Sequence, residues 1–203
     1  MREVNVRVIT ETVRDLSIRA NVELGKDVLD CFEACSKTEA SATGRAILAQ
    51  FVENAKIAVT ERMPLCQDTG FAVVFLDIGQ EVRLVGGDVN EAVHEGVRQG
   101  YKEGYLRKSI VKDPLRRVNT GDNTPAVIHA RIVPGDKIHI TLAAKGGGSE
   151  NMSGIAMLRP ADGIEGVKKF VVERVDKAGP NPCPPTIVGV GIGGTFEIAA
   201  LLS

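Results

Sequence analysis

Cys66, Gln67 and Asp68 stand together in the stretch Met63-Pro64-Leu65-Cys66-Gln67-Asp68-Thr69-Gly70, between the end of a helical pattern and the start of a strand pattern. A thiol with an adjacent amide and carboxylate in a constrained loop can supply a metal ligand, a hydrogen-bond donor to substrate and a proton-transfer group. A buried cysteine followed by an Asx-type turn is the plainer alternative, because Asp-Thr-Gly is ordinary turn chemistry. A second run, Lys145-Gly146-Gly147-Gly148-Ser149-Glu150-Asn151, follows a predicted strand. Its three successive glycines let backbone N–H groups come close to an anion, although a flexible turn has the same composition. The order of a phosphate-binding P-loop is absent.

Cys183 lies in Gly179-Pro180-Asn181-Pro182-Cys183-Pro184-Pro185. Four prolines preset the backbone around this thiol, and proline after cysteine recurs beside iron–sulfur ligands. A solvent-side loop cysteine is the other reading. Gly189-Val190-Gly191-Ile192-Gly193-Gly194 satisfies the glycine spacing of a dinucleotide fingerprint between a predicted strand and helix. The acidic residue such a site needs about 20 positions on has no place before Ser203. A helix N-terminus facing an anion fits the run better. Cys31 and Cys35, one helical turn apart in an apolar segment, read as core. His94, His129 and His139 lack ligand spacing and read as structural or exposed, and Arg116-Arg117 and Lys168-Lys169 as solvated faces.

The elements that would hold these residues follow from periodicity. Ile9, Val13, Leu16, Ala20 and Leu24 recur at helical spacing, Val28, Leu29, Phe32 and Cys35 resume it after Gly25, and Thr43–Met63 gives a third helix that stops at Pro64. Phe71–Gly79 and Glu81–Val85 read as a strand pair, and Asn90–Tyr105 as an amphipathic helix burying Ala92, Val93, Val97 and Tyr101. Val127–Val133 and Lys137–Ala144 flank Pro134-Gly135-Asp136, which predicts a hairpin. A helix over Gly163–Lys177, a short strand Thr186–Val190 and a helix from Thr195 complete the pattern. The expected architecture is α+β: one domain over residues 1–203, with a helical lead-in 1–63 and a body 64–203 of mixed β-sheet packed with helices.

The 203 residues carry Lys+Arg 25 against Asp+Glu 26, a formal charge of -1, which offers no basic field for nucleic acid. Hydrophobic residues at 43% fit a folded globular chain. No charge-free apolar run resembles a signal peptide or a membrane span, and four cysteines without a secretory signal suggest a reducing, cytoplasmic setting.

Five motifs in order resemble the iron–sulfur class I fumarate hydratases. They are Pro64-Leu65-Cys66-Gln67-Asp68-Thr69-Gly70, Gly104-Tyr105-Leu106-Arg107, Asn119-Thr120-Gly121-Asp122-Asn123-Thr124-Pro125, Lys145 to Asn151, and Cys183-Pro184-Pro185. The likeness is closest to the alpha subunit of the two-subunit form, a group that includes L-tartrate dehydratase, and it covers nearly the whole chain. It implies a hydro-lyase that hydrates fumarate to L-malate reversibly or dehydrates tartrate, with the tricarboxylic acid cycle as a setting. It further implies a [4Fe–4S] cluster held by three cysteines, of which Cys66 and Cys183 match two. The third is expected beyond Ser203, so the chain reads as truncated. By the same carry-over Gln67, Arg107 and the backbone at Gly148 bind substrate carboxylates and Asp68 is the general acid. A beta subunit or C-terminal region would supply the base and further cationic groups, within an oligomer. The isolated chain is accordingly expected to be inactive. Cys66 and Cys183 should converge on a cavity reached by Arg107 and Gly148, with Cys31 and Cys35 buried elsewhere. A dinucleotide-binding module built on Gly189–Gly194 and a non-catalytic structural fragment are the rival readings.

Overall fold

The computed structural model describes residues 1–183 and 185–203, which fall into two compact units, Met1–Lys145 and Gly146–Ser203. Mixed sheets packed with helices make the chain α+β, as its periodicities require.

The first unit opens with a short strand β1 (Arg2–Asn5) and three helices, α1 (Val6–Val22), α2 (Lys26–Thr38) and α3 (Ala42–Glu61). Side chains cap the first and third: Asn5 accepts from the Arg7 N–H at 2.9 Å, and Ser41 from the Gly44 N–H at 3.2 Å. Helix α3 stops where Arg62 turns left-handed, and Pro64 prevents its continuation. Strands β2 (Phe71–Gly79) and β3 (Val82–Val85), helix α4 (Val89–Glu103), and strands β4 (Val127–Val133) and β5 (Ile138–Lys145) follow.

Two expected pairings are corrected by the topology. Strands β2 and β3 do not pair with each other: β3 runs parallel to β1, with Arg2 opposite Val82, while β2 belongs to the order β4-β2-β5. The charged segment Arg2–Asn5 shows too little alternation to announce a strand. Nor do β4 and β5 form a hairpin. Strand β2 lies between them, parallel to β4 and antiparallel to β5. The Pro134-Gly135-Asp136 turn is real but passes over the end of β2, where Gly79 donates to the Lys137 carbonyl and Glu81 to the Gly135 carbonyl. A Cβ at Gly79 would lie 2.4 Å from the Gly135 oxygen, so only glycine admits that crossing.

One face of β2, carrying Ala72, Val74 and Leu76, is buried in a cluster with Ile9 and Val13 of α1, Val93, Val97 and Tyr101 of α4, and Leu106. Helices α1 and α4 approach closely because α4 carries glycine every fourth residue. A Cβ at Gly96 would meet Val13 Cβ at 2.7 Å, and one at Gly100 would meet Ser17 Cβ at 2.7 Å. Contacts advance along both helices together, so the two run in the same direction. Burying this stripe fixes the C-terminal end of α4, where the segment toward Arg107 begins.

In the second unit, α5 (Gly147–Glu150) is a single turn, and a 3₁₀ turn at Pro160–Asp162 leads into α6 (Gly163–Ala178). The Arg174 guanidinium on α6 donates to the carbonyls of Met152 and Ser153, fastening the segment after α5. Helix α7 (Phe196–Leu202) starts after Thr195, whose side chain makes no capping hydrogen bond. Residues 186–190 form no strand among the described residues, correcting that expectation.

Candidate active site

The loop between α3 and β2 is fastened at both ends. On the entry side the Leu65 N–H donates to the Asn21 carbonyl of α1 at 2.8 Å, and Asn54 Nδ2 of α3 donates to the Leu65 carbonyl at 2.9 Å. On the exit side Thr69 and Gly70 are buried, and the Tyr101 hydroxyl donates to the Thr69 carbonyl at 2.9 Å. Between these anchors Cys66 and Gln67 are exposed and Asp68 is half-buried. The sequence places its chemistry on the stretch whose backbone is held from either side.

Within that stretch the Cys66 thiol donates to Gln67 Oε1 at 3.2 Å. Asp68 Oδ1 accepts from the Gly70 N–H at 3.1 Å, an Asx turn that orients the carboxylate. The Asx turn of the plainer alternative is present, but its cysteine is exposed rather than buried. Thr69 joins the loop to the next predicted residue: its Oγ1 accepts from the Arg107 N–H at 2.9 Å and donates to the Arg107 carbonyl at 3.2 Å. Leu106, buried, anchors that segment, while the Arg107 side chain is exposed. Cys66, Gln67, Asp68 and Arg107 are thus brought together.

Asn123 completes the frame. It is fully buried with a left-handed backbone, and its Oδ1 accepts from the N–H groups of Ser109 at 2.6 Å and Ile110 at 3.2 Å. Its Nδ2 donates to the Gly70 carbonyl at 3.2 Å. One side chain therefore joins the 66–70 loop, the segment after Arg107 and the 119–125 turn. Asp122 beside it accepts from Thr124 N at 3.0 Å and Thr124 Oγ1 at 2.8 Å. Sequence reasoning gave no role to Thr69, Asn123 or the Tyr101 hydroxyl. The dense Asn-Thr-Gly-Asp-Asn-Thr run was the signal for Asn123, since such residues bond backbone at short range.

Burial, with Asp68 nearby, pushes the Tyr101 hydroxyl up to about 12, so it stays a neutral donor. Burial alone would raise Asp122, but hydrogen bonds from Thr124 and Thr120 and the charge of Arg98 outweigh it and hold the carboxyl below its ordinary value. Both groups serve structure.

The second unit holds the other two predicted residues. A Cβ at Gly148 would lie 2.9 Å from the Asn181 carbonyl, so the glycine turn packs against the loop that leads to Cys183. The Cys183 N–H donates to the Pro180 carbonyl at 3.1 Å, its backbone is left-handed and its thiol is exposed. Pro184 of the same motif lies outside the described residues. Gly148 and Cys183 thus share one corner of this unit, as Cys66, Gln67, Asp68 and Arg107 share one loop system of the other.

Other expectations change. Cys31 and Cys35 are exposed on α2 rather than core, because Phe32 is the residue that this helix buries. His94 Nδ1 accepts from the Ala126 N–H at 3.3 Å and His129 stacks on Phe75, both structural uses. Gly189 and Gly191 are spent on close approach to α7: a Cβ at Gly191 would fall 2.0 Å from the Ala199 carbonyl. With no strand before it among the described residues, that run lacks the context of a dinucleotide site.

Cys66 and Cys183 have the donor chemistry that an iron–sulfur cluster takes, since both are exposed thiols on loops tied by hydrogen bonds. Among the described residues no group of three His, Cys, Asp or Glu side chains is assembled to hold a metal.

The first unit thus holds a thiol, an amide and a carboxylate on an anchored loop bonded to the backbone of Arg107, and the second holds a glycine turn beside a second thiol. The model of the fumarate hydratase (Fumerase) family matches residues 10–203, and the chain belongs to this family of hydro-lyases. It is 41% identical, over 96% of its length and 70% of the relative's, to a candidate L(+)-tartrate dehydratase subunit alpha of Methanocaldococcus jannaschii. It is 32% identical to the L(+)-tartrate dehydratase subunit alpha of Escherichia coli strain UTI89, and equally to that of Shigella sonnei, over 98% of its length and 66% of theirs. The chain thus spans about two thirds of the length of these relatives.

Proposed function

We propose that this chain is the alpha part of an iron–sulfur hydro-lyase that interconverts fumarate and L-malate, or dehydrates tartrate, at a site completed by a beta subunit. The observation that carries the reading is the two-fold hydrogen bonding of the Thr69 hydroxyl to the Arg107 backbone. It ties the backbone that carries Arg107 to the loop that carries Cys66, Gln67 and Asp68.

The roles follow from residue chemistry. Arg107 offers two parallel N–H donors to one substrate carboxylate, and Gln67 offers an amide donor that the Cys66 thiol helps to orient. The bare backbone at Gly148 suits the second carboxylate, because no Cβ stands over its N–H. In the dehydrating direction a base from the partner removes a carbon-bound proton and Asp68 gives its proton to the departing hydroxyl, which leaves as water. The Gly70 N–H holds one carboxylate oxygen of Asp68, so the group presents a defined orientation. Cys66 and Cys183 would hold the cluster, which when bound supplies an open iron that acts as a Lewis acid on substrate oxygen.

Partner dependence is supported by the relatives' naming as alpha subunits. The large apolar side chains Ile187, Ile192, Phe196 and Leu202, exposed in the second unit, also suit an assembly. No helix among the described residues is long and apolar enough to cross a membrane, and the reading places the enzyme in the cytoplasm. The test is an anaerobic assay after iron–sulfide reconstitution, following fumarate, L-malate and L-tartrate directly. Turnover of one of these pairs by the chain with its beta partner, and none by the chain alone, is expected. Sustained turnover without the partner, or none with a fully loaded complex, overturns the reading.

A further inference from the structure

Helix α2 lies outside the loops assigned to substrate, and it carries a second piece of thiol chemistry. Cys31 and Cys35 are exposed, and their sulfurs stand 4.0 Å apart. The helix beneath them is fixed to α3 by the tilted contact of Phe32 with Phe51, ring centroids 5.7 Å apart. The two thiols are therefore displayed at a set spacing.

We propose that Cys31 and Cys35 form a bidentate dithiolate site for a thiophilic divalent cation of the zinc and cadmium class. The spacing decides between a cation and a disulfide. With metal–sulfur bonds of about 2.3 Å, sulfurs 4.0 Å apart subtend roughly 120° at a shared ion, near the tetrahedral value, so an ion enters without backbone movement. A disulfide needs sulfurs about 2.05 Å apart and Cβ atoms about 3.5–4.5 Å apart, whereas residues four apart on a helix keep their Cβ atoms about 5–6 Å apart. Closing that bond would distort a turn of α2.

Binding replaces the thiol protons: each sulfur loses one as its bond to the ion forms. The hydrogen bond between the two thiols, with the Cys31 charge, burial and Glu39, holds Cys35 above its ordinary range, so its proton stays in place until the cation enters. No third His, Cys, Asp or Glu side chain joins the pair among the described residues. Water or a small thiol then fills the remaining positions, which makes the site exchangeable, unlike a closed structural site with four protein ligands. It is independent of the hydro-lyase reading.

Cadmium chloride is a suitable probe. The experiment titrates the 203-residue chain carrying Cys66→Ser and Cys183→Ser, under a phosphine reductant, and follows the ultraviolet thiolate-to-cadmium band and proton release. A band saturating at one cadmium per chain, with about two protons released per ion, is expected. Further substitution of Cys31→Ser or of Cys35→Ser should weaken the apparent affinity roughly tenfold or more while helical circular dichroism stays unchanged. No saturating band, saturation at one cadmium per two chains, or unaltered affinity after either substitution overturns the site. If the starting background loses helical signal, the same comparison in the otherwise unaltered chain reads the loss of one bound cadmium on Cys31→Ser, and no loss overturns the proposal.

Discussion

Thr69 and Arg107 are locked to each other by one hydroxyl, which accepts from the Arg107 N–H at 2.9 Å and donates to the Arg107 carbonyl at 3.2 Å. The residues are 38 positions apart, and the bond makes the arginine's place a property of the Cys66–Asp68 loop. A shift of either segment moves the other.

Thr69→Val keeps the shape of the side chain and removes both bonds. Leaving the Arg107 backbone groups unpaired should cost about 1–3 kcal/mol of stability, read as a lower denaturation midpoint. In the complex with the beta partner, KM should rise more than kcat falls, because the role proposed for Arg107 is to bind substrate rather than to react. Thr69→Ser should restore both. Unchanged KM in Thr69→Val would separate this clamp from substrate binding.

Acid should loosen the 119–125 turn through Asp122. Burial opposes ionisation there, but hydrogen bonds from Thr124 and Thr120 and the Arg98 charge prevail, so the folded carboxyl ionises below its ordinary value. A depressed folded value means that the contribution is complete above the unfolded value of about 3.9 and is lost as pH falls through the folded one. Melting temperature against pH should therefore drop less steeply below about pH 4 in Asp122→Asn than in the parent chain. Parallel acid limbs for the two proteins would contradict this assignment.

Gly100→Ala tests the close contact of α1 with α4. In an open helix the change would gain up to about 1 kcal/mol. Here the new Cβ would stand 2.7 Å from Ser17 Cβ and 2.9 Å from the Arg14 carbonyl, and overpacking of that kind costs about 1–3 kcal/mol. A net loss of stability in urea is expected. A midpoint at or above that of the parent chain would mean that the helices part without cost.

How far the sequence discloses the molecule depends on the range of the forces involved. Local signals are clear: Asn5 and Ser41 cap helices, Pro64 ends one, and Pro134-Gly135 turns the chain. Pairing depends on distant partners, and so β2 between β4 and β5 escapes a reading that sees only the turn joining them. The exposure of Cys31 and Cys35 escapes for the same reason, since their helical spacing suits either a buried or a solvent face. At the site, the Cys66-Gln67-Asp68 loop is announced by its helix stop and following strand. The meeting of that loop with Arg107 depends on the hydroxyl of Thr69 and the amide of Asn123, whose partners lie far along the chain.

The central claim is that Asp68 gives the proton that turns the substrate hydroxyl into water. The direct measurement is kcat of Asp68→Asn in the reconstituted complex with its beta partner, with iron content and folding checked against the parent. Because the amide cannot deliver that proton, kcat should fall about 10²–10⁴-fold at full cluster occupancy with substrate binding retained. Near-parental kcat in Asp68→Asn at the same iron content would contradict the account.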